Sequence, residues 1–282
     1  MLNQNKEKGD VKAVSKKIKG RSGLVFICLM IIFIAASILT ANPDQSHSDI
    51  QEVMRDAVLH ESGQINFIGG MTINPGIVSA FTVTTILLAV CLAVRILVIP
   101  KFTIVPGKLQ LLLEQLVCLF DNMVKDNSPH RNKFAGAYAF AAGVYIFVST
   151  LFELLGLQAV TTHGSSIVLP APLSDINGAI AMGFMTYGVI ISGGIAENKL
   201  RGFFLSLKEF SLPISMSFRL FGALLSGALV TELVYHYSAL SYGIPVIVGI
   251  VFTLLHAVVQ AYVLTMLMSL FYGEVSEPLS HK

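Results

Sequence analysis

Five ionisable residues stand inside long apolar stretches of this sequence: Glu153, Arg219, Glu232, His236 and His256. Ionisable side chains are expensive at membrane depth, and where they occur they face a protein interior or a water-filled path. Arg219 carries the most weight. It sits in the run 212–228, about two turns from the start. A guanidinium keeps its proton at any accessible pH. Placing one mid-helix in a bilayer costs about 2.5–3.5 kcal/mol on insertion scales. Something anionic or wet must face it. Its own helix offers no acid within one turn, so the partner belongs to another helix or another chain. An ion pair closed within this chain is the alternative. The neighbours along one stripe, Ser215, Gly222 and Ser226, are small, which lets a second helix approach the cation closely.

Glu232 follows Arg219 by 13 positions, about 220° around a helix and roughly 20 Å along it. The two side chains therefore point to different sides. His236 continues the Glu232 face at i+4. Further on, His256 and Gln260 form a second i, i+4 pair, with Thr253 near the same stripe. If residues 212–272 fold as an antiparallel hairpin turning near Ser241, Gln260 returns to about the depth of Arg219. A polar lane of His236, Glu232, His256 and Gln260 then leads from the outer surface toward the cation. Histidine titrates near neutrality, and carboxylates take up and release protons, so such a lane suits proton passage. A packed neutral imidazole is the other reading of His256. Glu153 stands near the outer end of its helix and either lines the same aqueous path or reaches the surface. Asp175 precedes a helix and suits an N-cap. Arg95 lies close enough to an apolar boundary to snorkel.

These residues must be positioned by membrane-spanning helices. The 282-residue chain is 54% hydrophobic and 13% charged, against roughly 25% charged in soluble domains. Charge that scarce cannot solvate a soluble globule of this size. Apolar runs at 24–41, 76–99, 134–157, 176–195, 212–237 and 244–272 match the roughly 20 residues a spanning helix needs. The stretch 100–133 differs. Leu109, Leu112, Leu113, Leu116, Leu119 and Phe120 recur at spacings of three and four, with Gln110, Glu114, Gln115, Asp121 and Asn122 largely elsewhere on the wheel. That pattern predicts an amphipathic helix suited to the membrane surface. The expected fold is all-α and integral to the membrane. It has about five core transmembrane helices, one amphipathic surface helix and a long C-terminal helical hairpin.

Four regions follow. Residues 1–23 form a basic tail, expected in the cytoplasm. Residues 24–41 read either as a transmembrane anchor or as a signal segment. Residues 42–75 form an acidic exterior segment, and 76–282 the membrane domain. Lys and Arg gather in 1–23, 100–133 and 196–208, whereas 42–75, 158–175 and 238–245 hold Arg55 alone. By the positive-inside rule the basic segments and the C-terminus lie inside. Cys28, Cys91 and Cys118 are widely spaced and none forms a CxxC pair, which argues against a disulfide framework or a zinc site. No cofactor, metal or nucleic acid is expected.

Together the motifs resemble subunit a of F-type ATP synthases. The segment Ser217-Phe218-Arg219-Leu220-Phe221-Gly222 is similar to that family's membrane-arginine signature, and Val259 to Leu267 to its last helix with a Gln-Ala-aromatic centre. Ile73-Asn74-Pro75, the stretch 105–114, Leu154-Leu155-Gly156 and the stretch 172–177 add to the resemblance, which spans about residues 72–274. The resemblance implies a non-catalytic stator subunit in a bacterial plasma (inner) membrane. It would form two offset aqueous half-channels against a rotating ring of c subunits, each with a membrane carboxylate, and meet peripheral-stalk b subunits. Arg219 would match the family's essential arginine and Gln260 the glutamine placed opposite it. Glu232 and His256 resemble the acid and histidine of the access channel, each displaced by one turn, because Ala228 and Thr253 occupy the usual positions. Ala223 stands where the family usually has Asn, and Glu209 corresponds to its inner-loop acid.

Two other readings compete. One is a stand-alone ion-coupled secondary transporter using Arg219 and Glu232, but no internal repeat of the kind such folds show is evident. The other is an intramembrane enzyme, for which a HExxH motif or paired Asp arrangement is missing.

Overall fold

Asn74 and Pro75 start the first long helix. The Asn74 side chain accepts a hydrogen bond from the Gly76 amide at 2.9 Å, and Pro75 takes the first helical position, where its missing N–H is no loss. Helix α1 runs Pro75–Ala93. It continues through a wider π turn, Val94–Val98, and a 3-10 turn, Ile99–Lys101. Pro100 has no N–H to extend the ladder, so the helix ends there. Thr82, Thr84 and Thr85 each return their hydroxyl to the carbonyl four residues back, at 2.8, 2.7 and 2.8 Å. These polar groups are thereby satisfied without water.

The computed structural model describes residues 32, 35, 65–66, 72–129, 132–160, 166–236 and 244–278. The tail 1–23, the segment 24–41 except for two helical positions, and most of 42–75 lie outside the described residues, so the expectations for them stand as stated. Two packing units divide the chain: Asp56–Ala228 with Ile250–Lys282, and Met1–Arg55 with Leu229–Gly249.

Among the described residues five helices are long and apolar enough to cross a membrane: Pro75–Lys101, Lys133–Leu155, Ile176–Leu207, Ser211–Thr231 and Ile247–Val275. Helix α2, Lys108–Asn127, is the amphipathic one. It is followed by α3, Asn132–Leu151, α4, Ile176–Leu207, α5, Ser211–His236, and α6, Ile244–Val275. The all-α membrane fold expected from composition is the fold observed. Among the described residues two short strand pairs accompany it: β1 Ile65–Asn66 with β2 Thr72–Ile73, and β3 Gln158–Val160 with β4 Ser166–Val168, both antiparallel.

Helix α2 is amphipathic as its pattern predicts, yet its two ends behave differently. Leu109, Leu112, Leu116 and Leu119 are exposed, whereas Phe120 and Val124 are buried. Phe120 meets Phe140 edge to face and fills the space beside Gly143 of α3, where any Cβ would overlap its ring. Asn127 donates to the Ser269 hydroxyl of α6 at 3.0 Å. The C-terminal half is thus docked on helices, and the leucines are left for lipid or a partner.

Helix α3 ends in a 3-10 turn, Phe152–Leu155, stopped by Gly156 in the left-handed conformation (φ 54°, ψ 35°) that a residue without Cβ adopts readily. Asp175 caps α4, accepting from the Asn177 amide at 3.3 Å.

The segment expected as an inner loop, 196–211, is helical for most of its length. Helical structure continues to Leu207 and breaks at one residue, Lys199 (φ 51°, ψ −129°). Those angles match the first central position of a type II′ turn, so the chain reverses there. The piece after Lys199 folds back on the piece before it. Tyr187 donates to the Ser206 carbonyl at 3.0 Å, and a Cβ on Gly202 would overlap the Gly194 carbonyl. Two glycines permit this backbone approach, and their smallness replaces a loop. Asn198 then donates to the Val275 and Glu277 carbonyls at 3.2 and 2.9 Å, fastening the turn to the end of α6.

Within the larger unit the core is built between helices. One apolar cluster joins Phe120, Val124, Ala135, Ala139, Ile190, Leu212, Met216, Met268 and Tyr272. Another joins Ala142, Ile146, Met182, Leu220, Leu224, Ala261 and Leu264. In the other unit, the described residues Leu229–His236 and Ile244–Gly249 are the last turns of α5 and the first of α6.

Candidate functional site

Helix α5 has one face inside the protein and one outside. Leu212, Met216, Leu220 and Leu224 recur every fourth residue and are buried. Ser215, Arg219, Gly222 and Ser226 recur on a second stripe and are exposed. Arg219 is thus presented outward from the chain. Among the described residues it makes no ion pair or hydrogen bond. A Cβ built on Gly222 meets nothing within 4 Å, and Ser226 turns its hydroxyl back to the Ala223 carbonyl at 2.8 Å. The result is a smooth, open strip of helix with one permanent cation.

Helix α6 presents its polar groups the other way. Thr253, Ala257, Gln260, Ala261 and Leu264 are buried. Gln260 is 6% exposed, and its side-chain carbonyl has no hydrogen-bond partner among the described residues. An unpaired buried acceptor costs about 1–3 kcal/mol, so natural chains rarely keep one without a use. Leu220 follows Arg219 and Ala261 follows Gln260, and both belong to one apolar cluster. The two helices therefore pack together beside Arg219 and Gln260.

His256 is half-buried. Its Nδ1 lies 2.7 Å from the Phe252 carbonyl. A carbonyl can only accept, so Nδ1 carries the proton, and Nε2 is the atom left to exchange one in the neutral ring. Its ring stacks on Phe252, with centroids 6.0 Å apart.

Glu153 occupies the 3-10 turn at the end of α3 and is half-buried, beside the buried Phe152. Among the described residues it has no ion-pair partner.

Residues 77–273 match the family described as ATP synthase A chain. The chain belongs to this family. It is similar to proteins named ATP synthase subunit a from several bacteria. The one from Cereibacter sphaeroides is 28% identical over 201 residues, covering 67% of this chain and 77% of the relative. That of Histophilus somni is 29% identical over 192 residues, covering 57% and 71%. That of Haemophilus ducreyi is 26% identical over 197 residues, covering 58% and 74%.

Membership in the ATP synthase A chain family makes the chain a multi-pass membrane component of the synthase, concerned with ATP synthesis and ion transport. The matched region contains Glu153, Arg219, Glu232, His236, His256 and Gln260. Arg219, Gln260, His256 and Glu153 all fall in the larger unit. Glu232 and His236 lie on the last turns of α5, in the other unit. Their side chains are outside the described residues, as is the turn near Ser241. Of the four residues expected to form a lane, His256 and Gln260 are the two whose side chains are described.

Two positioning residues escaped the sequence. Asn127 and Asn198 tie helix ends together through their amides, but a single Asn near a helix end carries no signal of a partner 77 or 142 positions away. Among the described residues no group of three or more His, Cys, Asp or Glu could hold a metal ion.

Proposed function

We propose that this chain is the proton-conducting stator of the synthase. It forms two offset aqueous half-channels against a rotating ring of c subunits, each with one membrane carboxylate, and couples proton flow to ring rotation. The observation that carries this reading is Arg219, without an ion pair or hydrogen bond among the described residues, on an open strip of Ser215, Gly222 and Ser226. A cation held at membrane depth requires a compensating negative charge. An outward-facing cation with small neighbours is suited to a carboxylate supplied by another polypeptide, one that comes and goes.

In this reading Arg219 attracts each ring carboxylate, favours its ionised form and blocks direct leakage between the half-channels. A carboxylate arriving protonated gives up its proton on approaching the guanidinium, because the ion pair stabilises the charged form. Gln260 orients the pair through its free side-chain carbonyl and amide. His256, Glu232, His236 and Glu153 carry protons along the access path. His256 suits this role because Nδ1 is fixed by the Phe252 carbonyl, leaving Nε2 to exchange. The chain performs no covalent chemistry of its own. It acts beside the ring and the peripheral-stalk b subunits in a bacterial plasma membrane, with its C-terminus in the cytoplasm by the positive-inside rule.

A stand-alone transporter would need its cation turned toward a site within the chain, and the outward position of Arg219 weighs against it. The test is Arg219→Ala. Because Arg219 is exposed and has no partner among the described residues, membrane insertion and abundance are expected to stay normal while ATP synthesis in inverted vesicles disappears. Normal synthesis by the variant would overturn the reading.

A further inference from the structure

A crevice of about 640 Å³ opens between α1, α3 and α4, away from the Arg219 strip. On α1 it is lined by Ala80, Thr84, Leu87, Leu88 and Cys91, positions that recur at three and four and so share one face. Ala181 and Met185 of α4 and Tyr145 of α3 lie across from them.

Its wall is largely apolar, and two of its hydroxyls are already engaged: Thr84 donates to the Ala80 carbonyl at 2.7 Å, and Tyr138 pairs with Thr186 at 2.9 Å. A space lined this way does not hold ordered water, which needs several polar partners. The occupant must be apolar.

From Ala80 to Cys91 the lining extends about 16 Å along the helix, roughly the depth of one leaflet of a hydrocarbon core about 30 Å thick. One turn past Cys91 the same face carries Arg95, which is exposed. The crevice thus has the form of a leaflet-deep apolar slot with a cation at its mouth.

We propose that this crevice is a binding site for one anionic phospholipid, with an acyl chain between α1 and α4 and the phosphate on Arg95. The lipid comes from the leaflet on the Lys101 side of the membrane. Bound there, it fills the gap between α1 and the remaining helices and holds α1 in place. Arg95 is a headgroup anchor rather than a residue that merely reaches for water.

The test uses the synthase complex reconstituted in phosphatidylcholine vesicles containing a small amount of photoactivatable phosphatidylglycerol with a diazirine on its acyl chain. Cross-links are expected to concentrate at Thr84, Leu88, Cys91, Ala181 and Met185, exceeding those at Ile86, which faces another side of α1. Ala181 is exposed within the crevice, so Ala181→Phe is accommodated and is expected to remove most of the crevice labelling while Ile86 labelling persists. A photoactivatable phosphatidylcholine is expected to label the crevice about fivefold less, and Arg95→Gln to abolish that difference, as the loss of one basic contact with an anionic headgroup implies. The proposal is overturned if Ala181→Phe leaves the pattern unchanged, if the two lipids label the crevice equally in the unaltered protein, or if the crevice cross-links to another polypeptide.

Discussion

Arg219 and Leu220 are neighbours that face opposite ways: Leu220 is 1% exposed within the helical core, and Arg219 lies on the open strip of α5. The boundary between the packed interior of α5 and its exposed strip runs between them. The predictions below follow from that division and from the positions it leaves exposed or buried.

Gly222 lies three residues after Arg219 with no atom near its missing Cβ. Gly222→Phe is expected to leave abundance and membrane insertion unchanged, since nothing in the chain is displaced. If the strip receives a ring helix, the new ring of atoms holds that helix away from Arg219, and ATP synthesis in inverted vesicles falls at least about tenfold, equivalent to roughly 1.4 kcal/mol in the coupled step. Unimpaired synthesis would mean that nothing approaches this strip.

Gln260 is the converse case, buried and unsatisfied. Gln260→Leu preserves size and removes the unmet acceptor, so thermal stability is expected to be unchanged or to rise by up to about 1–3 kcal/mol. Passive proton flux through the membrane sector is expected to fall if the Gln260 amide takes part in the exchange at Arg219, because the variant lacks it. Lower stability with normal flux would assign Gln260 a packing role instead.

Glu232 is assigned from its place 13 residues after Arg219. Glu232→Gln keeps the shape and removes the exchangeable proton. Passive flux is expected to drop by about 10²–10⁴ if the carboxyl relays every proton, the range for loss of a general acid or base. Flux at the unaltered level would exclude Glu232 from the path.

Lys199 holds the reversal in α4 at a positive φ of 51°, a conformation that costs a residue with a Cβ about 1–3 kcal/mol. Glycine adopts it freely, at an entropic cost of roughly 0.5–1 kcal/mol in the unfolded chain. Lys199→Gly is therefore expected to stabilise the protein by about 1 kcal/mol, readable as a higher midpoint in thermal unfolding of the purified complex. A lower midpoint would show that the Lys199 side chain contributes more than its backbone strain takes away.

Much of this architecture was legible beforehand. Asn74-Pro75 marks a helix start because a capping side chain and a proline suit the first turn, and α1 begins there. Asp175 was readable as a cap for the same reason. The leucine spacing in 108–127 predicted one amphipathic helix, since polar and apolar residues contrast around its circumference. The helix in 196–207 was less legible, because Lys, Arg, Glu and Asn dilute the apolar signal while leaving helix propensity intact. No local pattern announces that Gly194 and Gly202 will meet.

The amino-acid sequence alone determined the membrane spans, the caps and the presence of a permanent cation at membrane depth, because hydropathy, capping chemistry and guanidinium ionisation are local properties. It also carried the motifs by which the family is known. Tertiary structure decided which side of α5 meets solvent, lipid or partner. That helix is apolar almost all round, so its circumference offers no contrast by which to read an orientation. Only packing of Leu212, Met216, Leu220 and Leu224 against neighbouring helices turns Arg219 outward.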